Sequence, residues 1–94
     1  MESDFEVEFP GYLDGYEFET ESKGYLVDVV VRRGVRQWNL TIYDSARLHQ
    51  EVLDEIERSG RCALSHVLVV PSVTRENVMS ALSDLANADF EDLA

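Results

Sequence analysis

Two stretches in the first half of the chain alternate between polar and apolar residues, and a valine-rich run lies between them. Residues 16–21 read Tyr-Glu-Phe-Glu-Thr-Glu, and residues 37–43 alternate in the same way around Trp38 and Leu40. A period of two is typical of a half-buried strand. Residues 25–32 are rich in β-branched valine, which favours strands, and Gly24 and Gly34 fit the intervening turns. The pattern predicts a three-stranded antiparallel meander.

The spacing becomes helical after Tyr43. Apolar residues at positions 48, 52, 53 and 56 form one stripe, with Asp44 or Ser45 as the N-cap and Gly60 at the end. The apolar run 63–70 predicts a fourth strand that ends at Pro71. Thr74 then caps a second amphipathic helix that ends near residue 88.

This order, β-β-β-α-β-α, predicts an α+β fold of the two-layer sandwich type. A mixed four-stranded sheet would carry two helices on one face, with an extra N-terminal edge strand at residues 5–9. We expect residues 1–15 to form an acidic N-terminal arm or edge strand, residues 16–88 a single α+β domain, and residues 89–94 an acidic C-terminal tail.

Charge narrows the classes of partner. Nineteen acidic residues stand against eight basic ones, which gives a formal net charge of −11. Eight of the acids lie in residues 1–21, which contain no base. Such a chain is repelled by phosphate backbones and anionic lipids, so we expect neither nucleic acid nor a membrane as partner. A single cysteine and no apolar run of bilayer length predict a cytoplasmic protein.

Few residues are candidates for catalysis. Asp44, Ser45 and His49 could form a Ser-His-Asp set at the first helix, although Ser and Asp there are more typical of capping. His66 and Cys62 share one side of the apolar run, where a buried, hydrogen-bonded histidine is the simpler interpretation. Two histidines and one cysteine are too few for a closed zinc site, so we expect no metal and no cofactor.

Acidic residues on the polar face of the sheet form the main binding candidate. The predicted partner-binding residues are Glu17, Glu19, Glu21, Asp28 and Tyr43. They would bind a basic protein partner. The alternative is that they only solvate the exposed face of the sheet, which needs polar residues in any case. Tyr12 and Tyr16 are further aromatic candidates. The alternating N-terminal arm could instead pair edge strands in a homodimer.

A small basic cluster interrupts the acidic chain. Arg32, Arg33 and Arg36 could bind an anion, or they could pair with the acidic N-terminal segment. The preferred function is a small acidic, non-catalytic module that binds a protein partner or itself through an acidic sheet face or edge. The alternative is a small enzyme or ligand-binding protein, with its site at the start of the first helix or around His66.

Overall fold

A computed structural model describes residues 5–93. The strands are β1 (Glu6–Glu8), β2 (Tyr25–Arg33), β3 (Arg36–Tyr43) and β4 (Val67–Val69), and the α-helices are α1 (Glu17–Lys23), α2 (Ser45–Ser59) and α3 (Arg75–Ala86). Short 3-10 helices cover Gly11–Leu13 and Glu91–Leu93. The sheet order is β1-β2-β3-β4, with only the β3–β4 pair parallel. The predicted α+β class with a mixed four-stranded sheet is confirmed.

The strand predicted at residues 16–21 is wrong, because this segment forms helix α1. Six alternating residues are too few to distinguish a strand from two helical turns. Two features favour the helix. Glu17 and Glu19 place negative charge in its first turn, and Gly24 ends it in the left-handed conformation with φ 80°. The place beside β2 belongs to β1, the extra N-terminal edge strand that the sequence predicts.

A bulge in β2 changes which of its side chains face inward. The register shifts between Leu26 and Val29, so Val27 and Asp28 together oppose one residue of β3. Asp28 adopts a left-handed φ of 63° there. Leu26 and Val29 are consequently both buried, whereas strict alternation predicts that they lie on opposite faces.

The buried core lies between one face of the sheet and α3. Val78 and Leu82 of α3 are fully buried against the strands. Phe90 is also fully buried, with its ring centroid 5.1 Å from that of Trp38. Phe90 and Leu93 therefore belong to the core, whereas the sequence pattern predicts an acidic tail over residues 89–94. The acidic residues around Phe90 and Leu93 are typical of a solvated tail, but these two apolar side chains are buried.

Helix α2 is predicted correctly, but its packing is not. None of its side chains is buried, and Leu53 and Ile56 remain 52% and 46% exposed. The guanidinium of Arg47 lies over the ring of Tyr25, on the sheet face opposite the buried Leu26. Helix α2 thus meets the sheet from the side opposite the core, whereas the sequence pattern places both long helices on one face.

The predicted strand at residues 63–70 is shorter than expected. Only Val67–Val69 pair with β3, and the preceding residues are irregular. His66 is exposed and has a left-handed φ of 56°, so its predicted burial inside an apolar strand is wrong. A mainly apolar run is typical of a strand covered on both faces. Here β4 is an edge strand, and only part of the run pairs with the sheet.

One glycine joins four elements at a single point. Gly24 links α1 to β2, and its carbonyl accepts a hydrogen bond from the backbone N–H of Asp44 at 2.9 Å, between β3 and α2. A Cβ on Gly24 would lie 2.5 Å from a carboxylate oxygen of Asp44. Only glycine combines this φ with this close approach.

We therefore expect Gly24→Ala to lower the free energy of unfolding by about 1–3 kcal/mol, measured by urea denaturation. The matched control is Gly34→Ala, because Gly34 also has a positive φ but a Cβ there meets nothing within 4 Å. Gly34→Ala should therefore cost less. Equal losses for the two variants would show that the Asp44 contact contributes nothing.

Candidate protein-interaction surface

The structure does not assemble the predicted catalytic residues. Asp44 caps α2, and its carboxylate accepts a hydrogen bond from the backbone N–H of Arg47 at 2.7 Å. Ser45 and His49 are both exposed, and no hydrogen bond joins either to Asp44 among the described residues. Within residues 5–93, no cluster of His, Cys, Asp and Glu is arranged to hold a metal ion.

Cys62 is half-buried near Tyr43, whereas His66 is exposed in front of β4. Burial, together with the carboxylate of Glu51, raises the pKa of the Tyr43 hydroxyl. Tyr43 is thus covered in part by α2 and does not stand open on a polar sheet face. Asp28 is exposed at the bulge.

The three arginines of the basic cluster are paired inside the chain. Arg32 contacts Glu8 of β1 at 2.8 Å. Arg33 and Arg36 both contact Asp89, at 2.8 Å and 2.5 Å. Their hydrogen bonds hold the pKa of Asp89 below its usual value. One acid comes from the N-terminal strand, as the pairing alternative expects, and the other comes from the C-terminal segment.

The lowered pKa of Asp89 makes this contact sensitive to acid. The ionised carboxylate stabilises the fold above the pKa of the unfolded chain, near 3.8, and this contribution is lost as pH falls through the lower folded-state pKa. We expect Asp89→Asn, which tolerates the left-handed φ of 55°, to be less stable than the native chain at pH 7. The difference should shrink on acidification to pH 3.

Thermal unfolding at a series of pH values measures this difference. The control is Asp54→Asn on α2, since Asp54 is exposed and forms no ion pair with any described residue. A constant gap between Asp89→Asn and the native chain from pH 7 to pH 3 would contradict the assignment.

The predicted acidic row of Glu17, Glu19 and Glu21 lies on α1, not on a sheet face. At 100° per residue, Glu17 and Glu21 share one side of the helix and Glu19 lies on the other. The predicted common face is therefore wrong, because it assumed the two-residue period of a strand. All three glutamates remain exposed.

A cleft of about 380 Å³ opens on one side of α1. Its floor is apolar and buried, formed by Leu13, Leu26 and Val73. Glu17, Phe18 and Glu21 line the α1 side, and Thr74 and Arg75 at the start of α3 line the other. The guanidinium of Arg75 contacts Asp14 at 2.5 Å and Glu17 at 3.5 Å, above the ring of Phe9.

A second, smaller cleft of about 240 Å³ lies on the other side of α1. It is lined by Tyr12, Tyr16, Glu19, Thr20 and Lys23. The Tyr12 hydroxyl donates a hydrogen bond to the Val27 carbonyl at 3.1 Å and accepts one from the Val27 N–H at 3.3 Å. These two bonds fix the Tyr12 ring against the bulge of β2.

Three aromatic side chains in or just before α1 are exposed: Tyr12 by 52%, Tyr16 by 59% and Phe18 by 77%. We use the term α1 surface for the exposed side chains of Tyr12, Tyr16, Glu17, Phe18, Glu19 and Glu21. The two-residue period predicts Phe18 on the apolar side of a strand, whereas the structure exposes it, and the sequence pattern gives no indication of Arg75 at this site. The sequence feature that is compatible with a helix here is the i, i+4 spacing of Glu17 and Glu21, which places both residues on one side of it.

Comparison of the chain with protein-family models, with curated proteins and with solved structures finds no match. No helix in the part of the chain that the structure describes is both long and apolar enough to cross a bilayer.

Proposed function

We propose that this protein is a non-catalytic interaction module that binds a basic protein partner through the α1 surface, in the cytoplasm. The observation that carries the proposal is the position of three exposed aromatic rings beside three glutamates, around two clefts. Aromatic residues are enriched among those that contribute most to protein interfaces, and exposed apolar side chains that lie close together often mark an interaction site.

The charge distribution supports a basic partner. Six of the seven arginines form ion pairs with described carboxylates of the same chain: Arg32, Arg33, Arg36, Arg47, Arg58 and Arg75. Glu19 and Glu21 form no ion pair with a described residue. The chain thus neutralises most of its positive charge internally, and the α1 surface keeps a negative excess that can attract a cationic surface.

The catalytic alternative has less support. His49 and His66 are exposed, and neither lines the two clefts beside α1. A catalytic group needs a site that positions a substrate and restricts water. The α1 clefts provide such shape, but among the described residues no hydrogen bond joins a cleft carboxylate to a cleft hydroxyl or to Lys23, a contact that activation of a nucleophile usually requires.

Neutralising the glutamates tests the proposal. In selection from a display library of random short peptides, the native protein should enrich peptides that combine Lys or Arg with apolar residues. We expect the variant Glu17→Gln/Glu19→Gln/Glu21→Gln to bind these peptides about tenfold more weakly, at roughly 0.5 kcal/mol for each exposed charge. Binding to the native protein should weaken as salt rises.

A variant with the same charge change elsewhere is the control. Asp54→Asn/Glu57→Gln/Asp84→Asn alters exposed helical acids on α2 and α3. It should keep the affinity of the native protein at equal ionic strength. An equal loss in both variants would show that net charge alone governs binding, and would overturn the assignment to the α1 surface.

A second candidate function is self-association through α2 and β4. The apolar stripe of α2 contributes nothing to the core, and β4 is an edge strand with Val69 43% exposed. An apolar helix face beside an edge strand fits a two-fold interface in which the same patch meets itself. This candidate places the homodimer at β4, whereas the sequence pattern suggested the N-terminal arm.

Sedimentation equilibrium of the native chain and of Ile56→Glu tests this second candidate. Ile56 is already 46% exposed, so a glutamate there should not unfold the monomer. We expect the dissociation constant of a native dimer to rise at least tenfold, from the loss of about 1.5 kcal/mol or more of apolar burial. Val35→Glu, at a fully exposed turn, is the control. A native chain that stays monomeric at high concentration would contradict self-association.

A further inference from the structure

Arginine, an aromatic ring and a carboxylate meet repeatedly in this molecule. The guanidinium of Arg33 lies 4.8 Å from the centre of the Phe90 ring and pairs with Asp89. The same combination recurs at Arg36 with Trp38 and Asp89, at Arg47 with Tyr25 and Glu51, and at Arg75 with Phe9 and Asp14. In each, one guanidinium is attracted both by the face of a ring and by a carboxylate.

Phe18 and Glu21 supply the same two partners on the α1 surface. Both line the larger cleft, together with Glu17. The Phe18 ring is 77% exposed, and no arginine of the described chain lies over it. The ring and the carboxylate thus stand at the mouth of a cleft whose floor is apolar.

We propose that this cleft binds an arginine side chain of the partner, an inference that rests on the proposed function of the α1 surface. The methylene groups of that arginine contact the floor of Leu13, Leu26 and Val73. Its guanidinium lies between the Phe18 ring and the Glu21 carboxylate. Long cationic side chains commonly bury their stems in this way while their charged ends stay near water.

The charges around the cleft select a cation. Arg75 on the opposite wall is paired with Asp14 and Glu17, which reduces its repulsion of an incoming guanidinium. Glu21 forms no ion pair with a described residue and supplies the attraction. An anionic group would be repelled by these carboxylates, and a wholly apolar group would remove them from water without pairing them. Arginine fits better than lysine, because its planar guanidinium stacks on rings and binds carboxylates through two donors.

The test uses three capped peptides of sequence Gly-Gly-Xaa-Gly-Gly, in which Xaa is arginine, lysine or the uncharged analogue citrulline. Each is titrated into the full ¹⁵N-labelled chain and followed by amide chemical shifts. We expect the arginine peptide to shift amides around the cleft, near residues 13, 21 and 73. The lysine peptide should bind about two- to fivefold more weakly, and citrulline should cause no shift.

Two exposed substitutions locate the effect. Phe18→Ala and Glu21→Gln should each weaken the arginine peptide about two- to fivefold. Leu53→Ala and Glu57→Gln, which change one exposed apolar and one exposed acidic residue on α2, should leave its affinity unchanged. The amide spectrum of each variant reports whether the fold is retained.

The outcomes separate this inference from the proposed function. Equal binding of the arginine and lysine peptides, or no effect of Phe18→Ala, would overturn the arginine cleft. The α1 surface would still stand if the library selection remained sensitive to its glutamates. No cleft shifts with any peptide, together with no enrichment of basic peptides in the selection, would overturn both.

Discussion

The antiparallel pairing of β2 with β3 is the interaction on which the other elements depend. It places Leu26, Val29 and Val31 beside Trp38, Leu40 and Ile42. These six are among the thirteen buried apolar residues found within residues 5–93. β1 and β4 extend this hairpin on its two sides. α3 and the segment around Phe90 then cover its inner face, because burial of apolar surface is the main favourable term in folding.

The two ends of the hairpin are closed by different chemistry. At one end, Gly24 and Asp44 approach closely, and this contact joins the end of α1 to the start of α2. At the other end, Arg33 and Arg36 bind Asp89 and hold the C-terminal segment over Trp38. The basic cluster is therefore explained by an internal role, and it is paired with acids drawn from both ends of the chain.

The side chains of the α1 surface are exposed because the core buries little of helix α1. Thr20 is the buried residue of this seven-residue helix, so its aromatic and acidic side chains face outward. The helix is held by the turn at Gly24, while the nearby Tyr12 ring is fixed by two hydrogen bonds to Val27. Exposed rings on a fixed element lose little conformational freedom when a partner binds, which favours their use as anchors.

The sequence by itself determined the elements whose signals are local. The valine-rich run marked β2 and the polar–apolar alternation marked β3. Asp44 and Gly60 marked the two limits of α2, and Thr74 marked the start of α3. The sequence also showed the acidic excess and identified the glutamates of residues 17–21 as binding candidates. The tertiary structure alone decided that those glutamates lie on a helix, that Phe90 enters the core and that Leu53 and Ile56 of α2 stay exposed. Each of these depends on contacts between residues far apart in the chain, which overrule local preference in short segments.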